Sequence, residues 1–222
     1  MLLLALFMPK KEIIVKHVTI LVVYLVIFWG FYRLLFKLPE EVEEVVIKPI
    51  MWLLPMFYLL RKEKADLSSI GLTTKNFFPS IYFSVTLGFV FAVEGFLINI
   101  VKYKGINFSA NLASNSLTSA LLISFITALS EELTFRGYIF GRIWHILKNE
   151  LWANIITSFL WALVHIPIAL FWWQLSLAGV LSFIFLTTIF GMASALIYAR
   201  TKNIVSSILL HVFWEWPIVF FR

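Results

Sequence analysis

Glu131 and Glu132 are adjacent carboxylates in the middle of a long apolar stretch, Ala110 to Trp144, and Arg136 follows Glu132 by four residues. Two later apolar segments carry one buried-looking histidine each. These are His165, in Trp161-Ala-Leu-Val-His165, and His211, with Glu215 four residues beyond it. An acid in hydrocarbon costs roughly 2.5 to 3.5 kcal/mol on insertion scales, so acids kept there usually mark a working site. Glu132 and Arg136 are i and i+4 on one helix and can neutralise each other. Glu131 lies about 100° around that helix and is left to face other helices. A carboxylate and an imidazole can hold a water between them and take its proton as it attacks a carbonyl. A second imidazole with a polar partner can then stabilise the oxyanion.

The same residues leave other chemistry open. Glu131, His165 and His211 also offer two imidazoles and a carboxylate to Zn²⁺, as in catalytic zinc sites. The H-E-x-x-H signature of soluble zinc proteases is absent, and the chain has no cysteine, which removes thiolate catalysis, disulfides and Cys-ligated zinc. The reading leans slightly towards no tightly bound metal. A purely structural alternative has Arg136 and backbone donors holding both carboxylates, with His165 as a hydrogen-bonded packing residue and Glu215 meeting lipid headgroups. Glu94 is a third acid within an apolar segment. It either lines the same cavity or pairs with a basic residue.

The elements that must position these groups are membrane spans. The chain has 222 residues, 61% hydrophobic and 14% charged, with a mean hydropathy of +0.94. Soluble domains run at about 45–50% apolar and about 25% charged, so this is an integral membrane protein. Nine Trp and 23 Phe suit a lipid-facing surface with interfacial aromatics. The length allows about seven spans of roughly 20 residues in a single domain over residues 1–222, and an eighth, re-entrant segment would also fit. The predicted fold is an all-α polytopic bundle. Spans run over about His17–Phe36, Val45–Leu60, Phe77–Val101, Leu117–Leu147, Leu151–Trp172, Leu175–Ala199 and Asn203–Phe221. An acidic loop with Glu40, Glu41, Glu43 and Glu44 precedes the second span, which Lys48, Pro49 and Pro55 weaken. The fourth would be roughly 46 Å long at 1.5 Å per residue, longer than the hydrocarbon core of about 30 Å. Pro167 is expected to kink the fifth.

Basic residues gather at segment ends, so the net charge of +6 reads as topology rather than nucleic-acid binding. If the spans alternate, Lys10, Lys11, Lys16, Arg61, Lys62, Lys64, Lys75, Arg142, Lys148, Arg200 and Lys202 fall on one side and Arg33, Lys37, Lys48, Lys102, Lys104 and Arg222 on the other, which predicts an N-terminus inside and a C-terminus outside. Met1 to Met8 is too short for a span and lacks signal-peptide order; it reads as an interfacial segment or a fraying end.

Glu131-Glu132-Leu-Thr-Phe-Arg136 resembles the E-E-x-x-x-R signature of the CPBP group, the CAAX prenyl endopeptidase and bacteriocin-processing intramembrane proteases also called Abi proteins. Trp161-x-x-x-His165 is similar to that family's F-x-x-x-H motif, and His211-x-x-x-Glu215 to its H-x-x-x-N or H-x-x-x-D motif. The likeness covers roughly residues 117 to 216. Ile70-Gly71-Leu72 is similar to a less specific family feature upstream. The resemblance implies an intramembrane endopeptidase in which Glu131 and His165 activate water. His211 with Glu215 would form the oxyanion site, and Glu132 and Arg136 would orient the first motif helix, with Trp161 in a packing role. It leaves both glutamate-dependent and metal-dependent hydrolysis open.

Two positions depart from the pattern. Trp161 stands for Phe, aromatic for aromatic. Glu215 stands for Asn or Asp, and an ionised Glu cannot donate a hydrogen bond where Asn can. Glu215 would have to be protonated, bind a metal, or leave the oxyanion to His211. The implied partners are the bilayer and a peptide or membrane-protein tail, with a lipid-modified substrate as one form. The short chain fits a multi-pass protein of a prokaryotic cell membrane. Two other readings stand beside the protease: a catalytically inactive member serving as immunity protein or membrane scaffold, and a proton-coupled carrier, which the lack of repeated halves disfavours.

Overall fold

Lipid offers no hydrogen bonds to a backbone, so each spanning segment must satisfy its own, and helices result. In the computed structural model, residues 10–36, 38–105 and 117–220 are described, and among them every regular element is helical. In chain order these are α1 (residues 11–35), α2 (residues 40–62), α3 (Phe77–Tyr103), α4 (residues 117–147), α5 (residues 150–172), α6 (Leu177–Thr201) and α7 (Val205–Phe220). Five of them, α1, α3, α4, α5 and α6, are long and apolar enough to cross a membrane. The described apolar part of α7 is shorter, Val205–Glu215. The predicted helical bundle is what forms. The reading on Met1–Met8 and the connection over residues 106–116 lie outside the described residues.

Two boundaries differ from the sequence reading. Helix α1 starts at Lys11 rather than His17, because long basic side chains at a helix end can keep their charges near water while their stems lie on apolar surface. Helix α2 starts at Glu40 and takes in the acidic stretch, and Glu43, Glu44 and Lys48 on it are buried. These residues are not loop charges. They face the interior of the bundle.

Four rods contain π-helical turns, which shift the facing side chains by a residue and recur at functional sites. They are Leu25–Trp29 in α1, Glu43–Ile47 in α2, Leu133–Phe140 in α4 and Ile168–Trp172 in α5. The α2 turn carries Glu44 and ends one residue before Lys48, and the α4 turn starts directly after Glu132. Helix α5 ends its α-helical run at Val164 with His165 as its cap. The imide of Pro167 cannot donate to a preceding carbonyl, which accounts for the break two residues upstream.

Helix α4 forms the centre, buried continuously from Ser130 to Phe140. At one end of the bundle, the segment between α2 and α3 is clasped to the α6–α7 turn. Ile204 N donates to Gly71 O at 2.9 Å. Asn203 Nδ2 donates to Thr73 O and Lys75 O, both at 2.8 Å, and Asn76 Nδ2 to Thr201 O at 2.8 Å. Gly71 has φ +80°, and a Cβ there would lie 2.6 Å from the Tyr198 ring. A Cβ on Gly137 would lie 2.7 Å from Ile70 O, so the Ile-Gly-Leu segment sits directly against α4. At the same end Glu63, 4% exposed, accepts from Tyr138, from Arg142 Nε at 3.1 Å and Nη2 at 3.0 Å, and pairs with His17 at 3.0 Å. This one carboxylate ties α1, α2 and α4 together.

Candidate active site

Glu131 leaves α4 towards α2 and α5. Its Oε1 lies 2.6 Å from Lys48 Nζ, and its Oε2 accepts from Trp161 Nε1 at 2.8 Å. The same Oε2 is 3.8 Å from His165 Nε2. His165 Nδ1 lies 2.9 Å from Trp161 O. A carbonyl only accepts, so Nδ1 must carry the proton, which in a neutral ring leaves Nε2 as a lone pair aimed at Glu131. The helix break at His165 is what turns its ring back along α5 onto Trp161.

Glu132 points to the other side of α4. Its Oε1 lies 2.8 Å from His211 Nδ1 on α7, and its Oε2 accepts from Ser194 on α6 at 2.7 Å. Arg136 Nε is 3.2 Å from Glu132 Oε2. The guanidinium also lies 4.3 Å from the centre of the Trp161 ring, in reach of a cation–π attraction. Among the described residues it makes no hydrogen bond. His211 Nε2 is 3.4 Å from Glu215 Oε1, and Glu215 Oε2 accepts from Ser124 on α4. A histidine with a carboxylate against each ring nitrogen can hold both protons, with Nδ1–H fixed on Glu132.

Trp161 is the hub, with its ring centre 5.2 Å from His165 and 5.6 Å from His211. Glu131, Glu132, Arg136, Trp161 and His211 are at most 2% exposed. The side chains of His165 and Glu215 are 18% and 24% exposed, so these two form the open edge. All seven residues singled out in the sequence thus belong to one cluster drawn from α4, α5 and α7. No hydrogen bond or ion pair among the described residues joins Glu94 to it.

The cluster also corrects the sequence reading. Glu131 does face other helices, but one of its oxygens is taken by Lys48, a partner the sequence reading did not assign. Glu132 engages His211 and Ser194 as well as Arg136. Trp161 is more than a packing substitute, since its Nε1–H, which Phe lacks, donates to Glu131. Sequence reasoning passed over Lys48, Glu44, Thr127, Ser194 and Ser124. For Lys48 a signal existed: a lysine within an apolar segment needs a carboxylate, and Glu131 needed a cation.

The donors do not fit a zinc ion. Glu131 Oε2, the oxygen nearest His165, already accepts from the Trp161 N–H at 2.8 Å. An ammonium is already 2.6 Å from the other oxygen. Among the described residues no three His, Asp or Glu side chains converge as a metal-binding set.

Fold and site together define a polytopic helical membrane protein with a buried carboxylate–imidazole centre. Residues 113–217 match the family described as type II CAAX prenyl endopeptidase Rce1-like, so the chain carries an Rce1-like segment and the likeness to the CPBP group read from the three motifs is borne out. The chain is also similar to the UPF0177 protein YxdF of Lactococcus lactis subsp. lactis (strain IL1403), 37% identical over 90 residues, which are 40% of this chain and 42% of that protein. No solved structure matches.

Proposed function

We propose that this protein is an intramembrane endopeptidase that hydrolyses a peptide bond with water activated by Glu131 and His165. The observation that carries the reading is the facing of Glu131 Oε2 and His165 Nε2 at 3.8 Å, with the histidine proton held on the far nitrogen by Trp161 O. A water seated beside both acceptors gives up a proton to one of them as its oxygen bonds to the peptide carbonyl carbon. The carbonyl oxygen becomes an oxyanion, and the donor we assign to it is His211 Nε2–H, which in the resting site faces Glu215 Oε1 at 3.4 Å. Collapse of the intermediate breaks the C–N bond, and the abstracted proton passes to the leaving amine. Glu132 orients His211 through Nδ1, while Arg136 and Ser194 hold Glu132.

The substrate enters at the edge formed by His165 and Glu215. We assign it to the class of peptides or membrane-protein tails, including lipid-modified ones whose chain can lie between helices, in the cell membrane of a prokaryote. A second reading, a non-catalytic member acting as scaffold or immunity protein, is favoured by one feature, the glutamate at position 215. The test is cleavage in liposomes of a mixture of random quenched-fluorescent octapeptides, with and without a farnesylated cysteine. Wild type is expected to cleave, and Glu131→Ala, His165→Ala and His211→Ala each to lose at least about 100-fold, the lower range for general acid–base groups. Wild type without cleavage, or cleavage surviving all three changes, would overturn the protease reading.

A further inference from the structure

Lys48 is 4% exposed and belongs to none of the motifs that carry the family likeness. Its ammonium lies 2.6 Å from Glu131 Oε1 and 2.6 Å from Glu44 Oε2. Glu44 Oε2 also accepts from Thr127 on α4 at 2.7 Å, which fixes Glu44 against the same helix that carries Glu131. The rings of Trp29 and Trp52 stand 5.4 Å and 5.7 Å from the ammonium. Two aromatic faces and two carboxylates therefore pin this side chain on four sides. A lysine is a flexible stem with a strongly hydrated head, and holding one in such a cage costs conformational freedom as well as hydration.

A carboxylate that is to take a proton from water must present one defined oxygen. Glu131 has charged or titratable neighbours in Glu132 and Arg136 on its own helix, Lys48 and Glu44 from α2, His165 from α5 and His211 from α7. Of these, only Lys48 lies within hydrogen-bond distance of Oε1 among the described contacts. With Oε1 occupied, the carboxylate cannot swing, and Oε2 is the atom that meets His165.

We propose that Lys48 is a positioning residue of the reaction site: by holding Glu131 Oε1 it fixes the carboxylate plane so that Oε2 and His165 Nε2 share the attacking water. This rests on the endopeptidase reading. The ammonium is caged by Glu131, Glu44, Trp29 and Trp52 and would act through Glu131, which separates its effect on turnover from any effect on substrate binding.

The experiment compares wild type, Lys48→Met, Lys48→Arg and Lys48→Gln in liposomes with the octapeptide mixture, reading kcat, KM and the thermal midpoint of each protein. Lys48→Met is expected to lose about 100-fold in kcat, the scale of an ångström-sized misplacement of a reacting group, with KM unchanged. Lys48→Arg, which keeps the charge and a donor, is expected to restore most of that loss. If Lys48→Met fails to fold, Lys48→Gln takes its place, because its amide keeps a polar group in the cage but is too short to reach Glu131 Oε1 as the ammonium does, and the same loss in kcat is expected. Folded Lys48→Met or Lys48→Gln turning over at the wild-type kcat would overturn the positioning role and leave the protease reading intact. So would a folded Lys48→Arg as slow as Lys48→Met. A wild-type protein that cleaves nothing would bring down both.

Discussion

At the scale of single residues, the site works by assigning each carboxylate oxygen a partner. Glu131 gives Oε1 to Lys48 and Oε2 to Trp161 and the space beside His165. Trp161→Phe is expected to lower stability by about 1.5–3 kcal/mol, the worth of a hydrogen bond to a charged group, and to lower kcat because Oε2 loses its anchor. Unfolding in detergent micelles and cleavage kinetics check the two effects separately. At position 215 the chemistry runs the other way. An asparagine can accept from Ser124 as Glu215 does and can also donate an N–H towards a developing oxyanion, so Glu215→Asn is expected to retain or raise kcat. A fall to background would instead mark Glu215 as a proton acceptor in the reaction.

At the scale of elements, two of the four π turns lie beside the charges of the site. The π turn of α2 lies between its acidic start and Lys48, and the π turn of α4 starts directly after Glu132. Away from the site, Glu63 serves as a bolt for three helices, and its loss would leave Arg142 a lone buried cation. Glu63→Ala is therefore expected to cost about 3–5 kcal/mol, read as a lowered unfolding midpoint, with KM unchanged in whatever remains folded. Gly71 holds a left-handed turn against Tyr198 with no room for a side chain. Gly71→Ala is expected to destabilise by about 1–3 kcal/mol, the usual cost of a strained backbone position, and to loosen the clasp between the α2–α3 segment and the α6–α7 turn.

At the scale of the whole molecule, the contacts sort the helix ends into two groups. The start of α1, the α2–α3 segment, the α4–α5 turn and the α6–α7 turn share one end, joined by Glu63 with His17 and Arg142, by Asn203 with Thr73, and by Arg200 with Glu150 at 2.9 Å. The natural absence of cysteine makes this directly measurable. Single cysteines in place of Lys64, Lys148 and Lys202 are expected to react with a membrane-impermeant maleimide from one side of intact vesicles, and cysteines at Leu38 and Gln174 from the other. The positive-inside reading puts the first group in the cytoplasm. Labelling of Lys64→Cys and Lys202→Cys from opposite faces would break the arrangement.

Hydropathy and spacing in the chain were enough to specify an all-α membrane bundle. They also picked out Glu131, Glu132, Arg136, His165, His211 and Glu215, because a polar residue in an apolar run stands out against its neighbours without any knowledge of the fold, whereas Trp161 entered only through the resemblance to a family motif. Pro167 likewise announced the break of α5. Pairing was beyond the reach of local pattern. Lys48 and Glu131 are 83 residues apart, and nothing in the run Val45–Leu60 says which carboxylate its lysine will find. The acids of 40–44 looked like a loop because acids usually stay in water, yet Glu43 and Glu44 are buried. Which oxygen meets which partner depends on how seven rods pack, and that is fixed by the sum of their contacts rather than by any one segment.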